Sequence, residues 1–150
     1  MSAVDIRERV TVYARPDRVW EALTAWERQT EWVLGTRVYA TALEGRSVGG
    51  GLTAITGIGP LAFTDTMVIT EWSPPALCRV RHTGHVVRGT AAFEVAADGP
   101  SRAIVTWSEH IILPFGRVGE FAWPLARPLV SWALRLSLRR FARWAPSYPG

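Results

Sequence analysis

The chain has no lysine and no asparagine; its basic residues are all arginine. Both missing residues have AT-rich codons, so a GC-rich coding sequence accounts for their absence without a functional reading. The single cysteine, Cys78, excludes an internal disulfide, and its place in an apparent strand makes it a small core residue. No stretch of about 18 apolar residues is free of charge and proline, which excludes an ordinary membrane-spanning helix. Pro124, Arg127 and Pro128 interrupt the best candidate. The opening MSAVDIRERV lacks the apolar core of a secretion signal, so a cytoplasmic protein is expected. There is no G-x-S-x-G, no H-E-x-x-H and no dinucleotide fingerprint. The triplet Gly49-Gly50-Gly51 is not followed by a GK[ST] element, so it reads as a hairpin turn or bulge and not as a phosphate cradle.

What is present fits one domain spanning residues 1–150, with 48% apolar residues and a net charge of +4. The arginines are scattered apart from Arg135, Arg139, Arg140 and Arg143, so no nucleic-acid partner is expected. Eight tryptophans supply large surfaces for a core or a pocket.

Residues 6–14 alternate, with Ile6, Val10, Val12 and Ala14 on one side and a flaw at Glu8, as in a half-buried strand. Pro16 opens a short helix to Thr24, with Val19, Trp20 and Leu23 on one face. A second short helix is expected over 26–33, with Trp26 and Trp32 packed on the first. Six short strands follow, at 37–43, 52–56, 62–72, 77–83, 85–96 and 102–113, divided by Gly and Pro turns, for an antiparallel meander of six to seven strands in all. The last element, 115–145, is a long apolar helix. Pro124 and Pro128 place its regular part from Pro128 onward, with a looser segment from Arg117. Val130, Ala133, Leu134, Leu138, Phe141 and Trp144 share the arc that should face the sheet. Arg135, Arg139 and Arg143 lie opposite, with Trp132 and Leu136 beside them, where a homodimer contact or a membrane surface is an alternative to a merely solvated face.

Alternation also assigns an inner face. It carries Phe63, Met67 and Ile69, then Cys78 and Val80, then Gly89, Ala91 and Phe93, then Val105 and Trp107. Asp65, His82, His85 and Glu109 fall on the same side. Buried ionisable groups are costly unless paired or wet, so their joint presence points to a hydrated, ligand-sized cavity. A one-residue slip would invert a face, and exposure of His82 and His85 at a hairpin end is the competing reading. Their spacing matches no metal-ligand motif, so no metal and no cofactor are expected.

The segments ARPDRVWEALTAWERQTEW, ITEWSPPALCRVRH and FEVAADGPSRAIVTW, with the terminal helix, resemble the START-like polyketide cyclase/dehydrase and lipid-transport superfamily (SRPBCC). The recurring pieces are Ala14-x-Pro16-x-x-Val19-Trp20, Trp32, Pro74-Pro75 and Val105-x-Trp107. The resemblance covers nearly the whole chain. It implies an α+β helix-grip fold, a curved antiparallel sheet around a long C-terminal helix, enclosing an apolar cavity for lipids, sterols or polyketides. On that reading Trp107, Phe93, Met67, Phe63, His85, Leu134 and Val130 line a site for a hydrophobic small molecule. If the protein is instead a cyclase or dehydratase, His82, Glu109 and Asp65 are its acid–base groups.

Overall fold

In the computed structural model, which describes residues 2–149, seven antiparallel strands form one sheet. They are β1 (Ala3–Val12), β2 (Thr36–Ala42), β3 (Gly51–Thr56), β4 (Phe63–Ser73), β5 (Leu77–Thr83), β6 (Arg88–Ala97) and β7 (Ala103–Ile112). Their order, β1-β7-β6-β5-β4-β3-β2, leaves β1 and β2 at the two edges. Helix α1 (Pro16–Leu23) and a 3-10 segment (Trp26–Glu31) connect those edges, and α2 (Gly116–Trp144) follows the last strand. This is the expected helix-grip arrangement.

The registers stack one row of inward side chains across the sheet. Ile111 pairs with Gly89, Gly89 with His82, His82 with Met67 and Met67 with Leu52. The molecule has two unlike ends. At the end holding α1, Val12, Val19, Leu23, Ile69, Val105, Leu138 and Phe141 are sealed from solvent. Each such side chain contributes on the order of 1.5–3 kcal/mol. At the other end, Met67, Trp107, Val130 and Leu134 are only half-buried, and Phe63 is 40% exposed.

Several expectations change. The helix expected over 26–33 is a 3-10 segment, and Trp32 just beyond it packs on the sheet and α2. Its ring lies 4.8 Å from Phe141, 6.0 Å from Phe93 and 6.1 Å from Trp107. The strand expected from 85 begins only at Arg88, after a four-residue loop closed by the Thr83–Arg88 pair. Helix α2 starts at Gly116 and runs unbroken through Pro124 and Pro128. Both prolines are exposed, so the carbonyls they leave without a donor can reach water, and neither ends the helix. The flaw at Glu8 is answered from a distance: its carboxylate lies 3.4 Å from Arg135 Nε on α2.

A bulge in β4 between Ile69 and Glu71 shifts the alternation. Trp72 therefore turns inward and meets Trp20 at 5.1 Å. At the start of β6, Gly89 has φ +119°, and a Cβ there would fall 1.9 Å from the carbonyl oxygen of His110. Gly99 also has positive φ but open space around it. Gly89→Ala should cost at least about 2 kcal/mol, and Gly99→Ala about 1 kcal/mol, from backbone strain alone. Urea melts would read this as a larger loss of midpoint for Gly89→Ala with little change in slope. Equal losses would show that close approach is not what demands glycine at 89.

Candidate functional site

The sheet brings Asp65, His82 and Glu109 together. Asp65 sits near the start of β4, His82 near the end of β5 and Glu109 in the second half of β7. His82 Nδ1 donates to Asp65 Oδ1 at 2.9 Å, and Nε2 donates to Glu109 Oε2 at 3.1 Å. Glu109 reaches over β6 to make that bond. It can do so because the inward residues of β6 at that level are Gly89 and Ala91. Trp107 Nε1 donates to Glu109 Oε1 at 3.1 Å and fixes the carboxylate from its own strand.

The His82 side chain is 3% exposed. Burial alone would push the imidazole pKa down. The hydrogen bonds it donates to Asp65 and Glu109, with their negative charges, outweigh burial and raise the pKa to about 9. His82 is thus an imidazolium at neutral pH, with both nitrogens donating. Asp65 Oδ1 is engaged, and its second oxygen meets no donor among the described residues.

Phe63, Met67, Phe93 and Trp107 on the sheet, with Val130 and Leu134 on α2, are only partly covered. None of these six side chains lines either of the two depressions that follow. His85 does not join the trio: it is exposed in the β5–β6 loop. There it borders a depression of about 330 Å³ with Ser2, Arg88, Phe115 and Glu120 at the open end of the sheet. A depression of about 520 Å³ lies among Trp26, Arg28, Arg46 and Tyr148, and none of the trio lines it.

Cys78 is buried, and burial pushes its thiol up to about 12, so it is not a nucleophile at neutral pH. No group of three His, Cys, Asp or Glu side chains with metal-binding geometry occurs among the described residues. The indole nitrogens of Trp32 and Trp123 are buried and find no acceptor among the described residues. Neither was anticipated as a site feature; their positions beside Phe93 and on the first half of α2 emerge only from the packing.

The model of the polyketide cyclase / dehydrase and lipid transport family matches residues 3–145. The chain belongs to that family. No curated protein sequence matches it. Among solved structures, the Zhui aromatase/cyclase from a Streptomyces species superposes with a TM-score of 0.78 at 16% identity, covering 97% of this chain and 94% of that one. A Thermus thermophilus protein gives 0.76 at 14% identity, over 98% of this chain and 100% of that one. Norcoclaurine synthase from Thalictrum flavum, solved with dopamine and hydroxybenzaldehyde, gives 0.68 at 15%, over 99% and 90%. Identities this low establish the shared fold and leave activity to the residues of this chain.

The His82 pKa carries a stability consequence. A folded-state value of about 9 lies above the unfolded value near 6.5. The stabilisation from this group is fully present below about pH 6.5 and is lost as pH rises through about 9. Unfolding free energy should fall over that window by up to about 3 kcal/mol, and His82→Gln should flatten the slope. Equal slopes for the two proteins in urea melts at several pH values would refute the assignment.

Proposed function

We propose that the groove between the sheet and α2 binds a hydrophobic small molecule bearing a carbonyl, and that the Asp65–His82–Glu109 cluster performs acid–base chemistry on it. The observation that carries this reading is the trio itself. An imidazolium between two carboxylates is held beside partly covered apolar side chains of the sheet, where dry packing would have been cheaper. Pockets of this kind are mostly apolar with a few polar groups at set points. Family membership and the aromatase/cyclase among the structural neighbours are consistent with it.

Asp65 is the group assigned to touch the ligand, because its second oxygen is free. From a ligand that also carries a hydroxyl on the β carbon, it takes a proton from the carbon beside the carbonyl and delivers it to that departing hydroxyl. The net change is loss of water and formation of a carbon–carbon double bond. His82 is a positioning residue: it holds Asp65 in one rotamer and places positive charge beside it. Glu109 and Trp107 in turn hold His82. Phe63, Met67, Phe93, Val130 and Leu134 supply apolar contact.

A second reading, carriage without chemistry, is favoured by one observation. Both nitrogens of His82 and both oxygens of Glu109 are already satisfied within the protein, as in a purely structural network.

One experiment separates the two. Benzylacetone serves as probe, its binding followed by displacement of anilinonaphthalene sulfonate and its proton exchange by NMR in D2O. The wild type should bind it and accelerate exchange at the carbon next to the carbonyl. Asp65→Asn should bind it comparably and lose about 10²- to 10⁴-fold of the exchange rate. Binding with exchange at the buffer rate would leave carriage as the function. Failure to displace the dye would remove the groove as a ligand site.

A further inference from the structure

Helix α2 is apolar on two faces, and only one of them packs. Leu138 and Phe141 are buried in the core, and Val130 and Leu134, half-buried, share their side of the helix. Val118, Phe121, Leu125, Leu129, Trp132 and Leu136 fall within about 80° of one another on the opposite side, given 3.6 residues per turn. The stripe they form is about 27 Å long at the usual helical rise. Val118, Phe121, Leu125 and Leu129 are between 66% and 84% exposed, and Trp132 is 51% exposed. Single exposed apolar residues are ordinary, but an aligned row of them marks a contact surface.

The charge around the row narrows the partner. The outward half of α2 also carries Arg117, Arg135, Arg139, Arg140 and Arg143, and no carboxylate. The helix's one acidic residue, Glu120, lies off this half and accepts a hydrogen bond from Ser2 Oγ at 2.5 Å. Arg135 is held by Glu8, and Arg140 lies 3.4 Å from the backbone carbonyl of Glu31. Arg139 and Arg143 have no carboxylate partner among the described residues.

A second copy of the chain does not complement this surface. Parallel pairing of two stripes sets the two arginine clusters side by side. Antiparallel pairing sets each cluster against the Val118–Leu125 half of the other helix, which offers Arg117 and no outward acid. An anionic lipid surface complements both features at once: the apolar row enters the headgroup boundary and the arginines meet phosphates. No helix among the described residues is long and apolar enough to cross a membrane, so such contact is peripheral.

We propose that the outer face of α2 docks the protein on an anionic bilayer, with the helix lying in the plane of the interface. The docking does not depend on what the groove binds. Flotation with vesicles of phosphatidylglycerol and phosphatidylcholine, against phosphatidylcholine alone, tests it. The wild type should float with the anionic vesicles only, and high salt should release it. Arg139→Gln with Arg143→Gln should weaken partitioning at least about tenfold. Phe121→Ser with Leu125→Ser should abolish it, and both variants should keep the wild-type melting temperature, since the changed side chains are exposed. The proposal is overturned if the protein stays unbound at low salt, or if it binds neutral and anionic vesicles alike. It is also overturned if sedimentation equilibrium finds a dimer that Phe121→Ser with Leu125→Ser dissociates.

Discussion

The bridge from His82 to two carboxylates is the interaction on which the open end of this protein depends. Asp65 and Glu109 belong to β4 and β7, on either side of β5 and β6, and one imidazole joins them. Moving charges out of water costs several kcal/mol per ion, and only good geometry offsets that cost. Here the geometry requires a gap. Glu109 must cross β6 to reach His82, and Gly89 and Ala91 are the residues it crosses. A larger side chain at either position would occupy the path. The glycine is fixed a second time by its backbone, since its positive φ and the nearby His110 carbonyl leave no place for a Cβ. One short run of β6, Gly89 to Ala91, thus meets both the His110 carbonyl and the path of the Glu109 side chain.

Such a cluster needs stability from elsewhere, and the opposite end provides it. Trp32 and Phe141 are buried there with Leu23, Ile69 and Leu138. The ring contacts of Trp32 with Phe93, Trp107 and Phe141 form the boundary between the two regions. One side of that boundary is dry and tightly packed. On the other side Trp107 spends its indole N–H on Glu109, so the same aromatic belongs to the core by its ring and to the site by its nitrogen.

Much of this was legible in the sequence. Alternation alone put Asp65, His82 and Glu109 on one face, because β5 and β7 run without a break in register and the bulge in β4 lies beyond Asp65. What failed has physical causes. His85 was assigned inward because the alternating pattern of β6 extends through its preceding loop, and periodicity cannot mark where pairing begins. Trp72 turns inward through a bulge, which one-dimensional alternation does not register. Glu8 looked like a flaw because its partner, Arg135, lies on a different element far along the chain. The prolines of α2 were read as a late helix start. That rule counts the lost donor and the ring clash but not the solvent available to the freed carbonyls.

Helix α2 also shows how one element can serve two environments. An amphipathic helix with one apolar stripe is satisfied by one partner. This one has a second stripe, and left bare it would favour self-association. The arginines bordering it oppose that, since either pairing of two such helices leaves positive charge uncompensated. The residues that discourage a second copy are therefore the ones that favour an anionic partner. Val130 and Leu134 lie on the other side of the same helix and are half-buried, so any contact on the outer stripe bears on the element that covers this end of the sheet.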